Sequence, residues 1–246
     1  MRPAITFDFH NTLIRCDPWF DLEVAGLPGA VSHALWEAGA GPDPQNRQEM
    51  TEVYRALRAE VIIHGNELEA TEGVLETFRR MGYVVQSDAV RPIVDRLFLT
   101  LVAESEVIDG VRDTLGHIAE LGIPVGIVSS AVHHDFLEWT LEHHGLRAFF
   151  ADVTTSASSG YYKSRPEIFR VACERLGVAP DHTIHVGDSF RFDHLGGSAA
   201  GLRTIWFNQA GVDRPDGGPQ PDLVLDSLVG AGPLIAQLLA VPVDAR

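Results

Sequence analysis

Lysine occurs once in this chain, at position 163, beside 18 arginines. A chain this rich in arginine that keeps a single ammonium raises the question of what a planar guanidinium could not do there, because lysine offers a compact point charge with rotatable donors. Basic residues of either kind are few: 19 against 34 acidic ones, a formal net charge of −15. That balance argues against nucleic acid or an anionic membrane surface as a partner. An anionic substrate would need a local cation or a metal to offset the field. Cysteine is also scarce, and Cys16 and Cys173 are a distant pair that fits a reducing cytosol better than a disulfide scaffold. The chain lacks an apolar run of the about 20 residues that a bilayer-spanning helix needs. Its start reads as a strand with an Asp in it rather than as a signal peptide. A cytoplasmic location is the resulting expectation, and oligomeric state stays open.

What is present fits a globular protein. The 246 residues are 45% hydrophobic, enough for a sizeable core in one large domain or a domain with an insertion. The short apolar run from Ala4 to Phe9 reads as a buried strand, with Asp8 near its end and turn-forming Asn11-Thr12 behind it. A carboxylate at the carboxyl end of a strand in an open α/β sheet lies where ligands bind. An Asp after a strand is also a common helix cap, so the later segments must decide.

From residue 15 to about residue 104 the spacing is helical. Helices are predicted over 28–38, 46–64, 68–81 and 88–103, the last with Asp88 as N-cap and Pro92 in its first turn. Beyond Gly110 helix and strand alternate: helices over 111–121, 135–144, 166–176 and 195–200, a last one beginning at Leu234, and strands over 123–128, 149–154, 183–186, 204–207 and 223–225. Alternation of this kind implies a parallel sheet covered by helices. The Gly/Pro-rich stretch 211–221 reads as a surface loop.

Three polar sites fall at predicted strand ends: Asp8, Ser129-Ser130 and Gly187-Asp188. Lys163 lies in a loop before a helix. In a parallel sheet these strand ends share one edge, so the groups can converge. Two carboxylates, a hydroxyl and one ammonium suit the transfer of a phosphoryl group. Carboxylates can hold Mg²⁺, Lys and Ser can bind phosphoryl oxygens, and a carboxylate nucleophile divides the transfer into two easier steps. Other candidates are weaker. His133, His134, His143 and His144 read as a solvated helix face, and His185, inside a strand, as a satisfied buried histidine. Trp19 and Phe20 could line a pocket mouth. Arg15, His64 and Arg165 are candidate substrate contacts.

The four segments together resemble the haloacid dehalogenase (HAD) superfamily. Asp8-Phe9-His10-Asn11-Thr12 is similar to its first motif, D-x-D-x-T, and Ser129 to the Ser or Thr that ends its second. Lys163-Ser164-Arg165-Pro166-Glu167-Ile168-Phe169 is similar to the third, and Gly187-Asp188-Ser189-Phe190-Arg191-Phe192-Asp193 to the fourth. The resemblance implies a doubly wound, Rossmann-like α/β core of residues 1–14 and 105–246, with residues 15–104 inserted as a helical-bundle cap domain. It also implies a Mg²⁺-dependent phosphatase acting on a small phosphorylated metabolite. Asp8 would be the nucleophile, with Ser129, Ser130 and Lys163 binding phosphate. Asp8, Asp188 and the backbone carbonyl of His10 would be metal ligands, and Asp193 would bind the metal through water or orient Lys163. His10 replaces the Asp that serves as general acid and base in the family's phosphatases, so the imidazole is expected to take that role. Two alternatives stay open: a metal-independent, dehalogenase-type hydrolase using Asp8 on a carbon centre, and a weakly active protein that binds a phosphorylated ligand or a partner.

Overall fold

The computed structural model describes residues 3–216 and 218–240. Strand β1 (Ala4–Phe7) is fully buried and ends at Asp8. The chain then turns sharply, with Asn11 in the left-handed region at φ 57°, and enters β2 (Ile14–Arg15). Five helices and a π-helical turn follow. Helix α1 (Asp17–Asp21) runs through a π-helical turn, Leu22–Gly26, into α2 (Leu27–Glu37); α3 (Arg47–His64), α4 (Ala70–Arg80) and α5 (Ser87–Leu101) complete the bundle. Strand β3 (Glu106–Val107) returns antiparallel to β2 and closes the insertion with a two-stranded neck.

The rest of the chain builds the sheet and its covering helices. In order these are α6 (Val111–Glu120), β4 (Val125–Ser129), α7 (His134–His143), β5 (Asp152–Thr155), α8 (Ser156–Ser159), α9 (Glu167–Leu176) and β6 (Thr183–Gly187). A second π-helical turn, Phe190–Leu195, leads to α10 (Gly196–Ala200), β7 (Arg203–Phe207), β8 (Leu223–Leu225) and α11 (Ala231–Ala240). The six-stranded sheet has the order β5-β4-β1-β6-β7-β8, and every pairing in it is parallel. β1 therefore lies where strand order reverses, between β4 and β6, and the ends of these three strands open onto one crevice.

The bundle is stitched to the core at its far end as well as at the neck. Tyr162 N–H donates to the Gly65 carbonyl at 2.9 Å, Glu67 N–H to Gly160 at 2.9 Å, and Ala70 N–H to Val132 at 2.8 Å. The buried Glu67 carboxylate accepts from both terminal nitrogens of Arg58 and, at 2.7 Å, from Ser156 Oγ. One hydrophobic core runs from the sheet into the bundle, from Ile5 and Phe7 through Phe9 and Trp19 to Tyr54 and Phe78.

Several local expectations need correction. Residues 17–26 lie in the stretch read as helical but outside the helices predicted one by one, and they are helical: Pro18 sits in the first turn of α1, where a missing N–H costs nothing, the wider π-turn accommodates Gly26, and Pro28 stands in the first turn of α2. Asp88 is not the N-cap of α5: Gln86 is, and Asp88 lies inside the first turn while Pro92 stands in the helix body. Residues 156–159, read as loop, make one helical turn held by a Thr155–Ser158 capping box. His133 is not on a solvated face. It is buried, caps α7 by accepting from Phe136 N–H at 3.1 Å, donates to Asp95 at 3.0 Å, and stacks on Phe98.

Candidate active site

Asp8 leaves β1 with its backbone N–H bonded to the Val186 carbonyl of β6 at 2.8 Å, which fixes the carboxylate over the crevice. β4 delivers Ser129 and Ser130, β6 ends in Gly187 and Asp188, and the π-turn behind it carries Asp193. One ligand oxygen from each of Asp8, Asp188 and Asp193 lies within 4.8 Å of the others. Lys163 closes the group. Its Nζ donates at 2.5 Å to Asp8 Oδ1 and at 2.5 Å to Asp193 Oδ1, in a position only 3% exposed.

Asp193 is the most tightly held member. It accepts from Lys163, from Ser189 N–H at 2.9 Å, and from His185 Nε2 at 3.0 Å. An ionised carboxylate only accepts, so His185 carries its proton on Nε2, and Nδ1 accepts from Thr6 Oγ1 at 2.9 Å. This satisfied, buried His185 is as expected from its place in a strand. Two glycines make the approach possible. A Cβ on Gly187 would stand 2.3 Å from the Asp193 carboxyl carbon, and one on Gly196 would stand 2.8 Å from the Lys163 carbonyl oxygen. Trp206 Nε1 donates to the Asp188 carbonyl at 2.9 Å and fixes that loop from β7.

The electrostatics follow from burial and crowding. Burial pushes Asp8 up to about 6, against the pull of Lys163. Burial, with the charges of Asp8 and Asp193, pushes Asp188 up to about 8. Burial opposes the charge on Asp193 too, but Lys163 and the His185 hydrogen bond outweigh it and hold this carboxyl below its ordinary value. For Lys163 the cost of burial is overcome by Asp193 and Asp8, which keep it protonated. Three carboxylates share one ammonium, so the cluster has an excess of negative charge that a hard cation would relieve. Its all-oxygen donor set fits such an ion.

The cluster forms the floor of a cavity of about 570 Å³, within the range of small-molecule sites. Ser129, Ser130 and His10 line it, as do the buried Trp19 and the half-exposed Phe20, two residues expected near the pocket. His10 stacks on Phe20 with centroids 5.3 Å apart and meets Trp19 edge-on at 5.0 Å. Its Nε2 is buried without a hydrogen-bond partner, as is Trp19 Nε1, and burial lowers the imidazole's pKa. The three other candidates lie elsewhere. Arg15 donates to Gln209, His64 lines a separate depression on the bundle, and Arg165 pairs with Glu167. In their place the bundle contributes Glu23, Arg55 and Arg58, and Tyr162 joins from the loop before Lys163. Of these only Glu23 left a trace in the sequence, an acid inside the apolar run Leu22-Glu23-Val24-Ala25.

The model of the haloacid dehalogenase-like hydrolases matches residues 3–201, which includes all four polar segments and the inserted bundle. The chain belongs to this family. Among curated relatives of this HAD hydrolase, haloacid dehalogenase-like hydrolase domain-containing protein 3 of Mus musculus is 35% identical over 134 residues, 54% of this chain and 52% of that protein. The chain thus spans about half the length of that relative. Glyceraldehyde 3-phosphate phosphatase of Methanopyrus kandleri is 30% identical over 206 residues, 83% of each chain. Among solved structures, the 2-haloacid dehalogenase of Pseudomonas syringae superposes with a TM-score of 0.69 at 24% identity, over 96% of this chain and 99% of that one. The putative HAD-hydrolase YfnB of Bacillus subtilis, bound to magnesium, gives 0.58 at 20% identity, over 98% and 99%. At these identities the superpositions speak for the doubly wound fold with its inserted helices.

Proposed function

We propose that this HAD hydrolase is a Mg²⁺-dependent phosphatase of small phosphomonoesters, with residues 15–104 acting as the cap over the core of residues 1–14 and 105–246. The observation that carries this reading is the convergence of Asp8, Asp188 and Asp193 within 4.8 Å around Lys163 on the cavity floor. Phosphatase names among relatives that match over most of the chain support it. Asp8, Asp188, Asp193 and the His10 carbonyl would hold the ion. When bound, Mg²⁺ would offset the charge of the phosphoryl group and of the carboxylates around it.

The chain's own residues carry the remaining steps. Ser129, Ser130 and Lys163 bind the phosphoryl oxygens. An Asp8 oxygen attacks phosphorus, the bond to the leaving oxygen breaks, and that oxygen takes a proton. Water then attacks the acyl-phosphate, which releases phosphate and restores Asp8. The unpartnered Nε2 of His10, on the cavity wall, is the proton-exchanging group assigned to these two events. Three crowded carboxylates favour a site that holds a cation over a metal-independent enzyme acting on carbon.

Phosphate release measured across a panel of phosphomonoesters, with Mg²⁺ and with EDTA, tests the reading. Turnover should require Mg²⁺, and an acyl-phosphate should be trapped on wild-type protein but not on folded Asp8→Asn. Hydrolysis that survives chelation would move the assignment to the carbon-centre alternative.

A further inference from the structure

Glu23 is a buried acid in the cavity wall that none of the steps above uses. It stands in the π-helical turn Leu22–Gly26, a type of distortion frequent at functional sites. It is 6% exposed and lines the same cavity as Asp8. Its Oε2 accepts from the Val132 N–H at 3.4 Å, a long bond. No cation pairs with it among the described residues, because Arg58, its positive neighbour, is bound at both terminal nitrogens to Glu67. The other titratable groups facing it are Glu67, Tyr54 and Tyr162. Burial pushes its carboxyl up to about 8, which favours the neutral form near pH 7. A neutral carboxyl presents an O–H donor and an acceptor together. Around it the bundle side of the cavity combines the apolar side chains of Trp19, Phe20, Val24, Ala59 and Ile62 with Arg55 and the Glu67-bound Arg58.

A polar group held in such a wall is costly unless a ligand completes its hydrogen bonds. Resting on the phosphatase reading, we propose that Glu23 reads a hydroxyl group on the leaving alcohol, so that the substrates are phosphomonoesters of polyols or sugars rather than of plain alkyl alcohols. A hydroxyl can donate and accept at once, which matches a protonated carboxyl. An ammonium would need the ionised form that burial disfavours, and an alkyl chain would strand the acid against carbon. Sites built to hydrogen-bond a substrate hydroxyl reject the analogue that lacks it far more strongly than apolar pockets reject a missing methylene.

The test compares kcat/KM for glycerol 1-phosphate and propyl phosphate, two esters with the same carbon skeleton, in wild type, Glu23→Gln and Glu23→Met. Wild type should favour the glycerol ester by about tenfold or more. Glu23→Gln, whose amide also donates and accepts, should keep most of that preference. Glu23→Met should lose it, with the glycerol ester falling much further than the propyl ester. Equal losses on both esters in Glu23→Met would make Glu23 a packing residue and overturn the inference. So would a wild-type ratio near one, or a preference for 2-aminoethyl phosphate abolished by Glu23→Gln. If Glu23→Met does not fold, the wild-type ratio and its survival in Glu23→Gln decide. Wild-type protein that hydrolyses neither ester with Mg²⁺ would overturn the phosphatase reading itself, an outcome distinct from hydrolysis of both without preference.

Discussion

Lys163 is held between two carboxylates and is nearly inaccessible to solvent, and that geometry sets what its replacement should do. Lys163→Met should lower kcat by about 10²–10³, the range for losing one preorganised donor to a developing anion. Lys163→Arg should restore little, because a planar fork does not fit a slot shaped for one ammonium. Phosphate-release kinetics on folded variants check both, and full activity in Lys163→Arg would reduce the residue to a generic charge. The surroundings of His10 differ from those of a solvated imidazole. Packed between Phe20 and Trp19, it is held below that value by burial, so at neutral pH its neutral form is ready to accept a proton but seldom has one to donate. His10→Ala should therefore slow breakdown of the acyl-phosphate. If the imidazole also protonates the leaving oxygen, alkyl phosphates will be slowed far more than an activated aryl phosphate. Rapid-mix measurement of the two half-reactions separates these roles, and no change in either would leave His10 with its backbone carbonyl alone.

The strands of the six-stranded sheet were the easiest elements to read from sequence, unlike the short β2 and β3, and their ends supply most of the chemistry. β1, β4 and β6 are short apolar runs that stop at a polar residue, so Asp8, Ser129 and Gly187-Asp188 stood out. The helices were read less well where proline and glycine, usual breakers, sit in positions that tolerate them, as in α1 and the π-turn after it. Asp193 depends on an element of this second kind, because its π-turn folds back over the end of β6 and needs a glycine beneath it. Gly187→Ala should cost about 1–3 kcal/mol by forcing a methyl against the Asp193 carboxyl, and should lower activity by moving that carboxyl off Ser189 and Lys163. Denaturant unfolding and kinetics would measure the two effects. An unchanged midpoint would mean that the loop yields freely.

Across the whole molecule, the crowded acids should make stability depend on pH and on metal. Asp188 and Glu23 have folded pKa values raised from 3.8 and 4.5 to about 8. Their contribution is complete below the ordinary carboxylate range and is lost as pH rises toward about 8. The depressed histidines His10, His144 and His185 act in the opposite sense, but only up to their ordinary value of 6.5. In EDTA the melting temperature should therefore fall between about pH 6.5 and about pH 8.5, and Mg²⁺ should raise it most at the upper end, where the ligands are ionised. Thermal melts with and without Mg²⁺ check this, and an equal metal effect at both ends would show that Asp188 is not titrating in that window. The sequence by itself determined the alternating core, the inserted helical block and the strand-end residues Asp8, Ser129 and Asp188, because local periodicity and turn chemistry encode them. It also singled out Lys163 by composition. Only the tertiary structure decided that Lys163 lies between Asp8 and Asp193, that His10 is enclosed by aromatic rings, and that Glu23 faces the cavity with no ion-pair partner among the described residues. Those facts depend on which distant segments meet and how much water they exclude, and pKa and pairing are set by that surrounding rather than by the residue's neighbours in the chain.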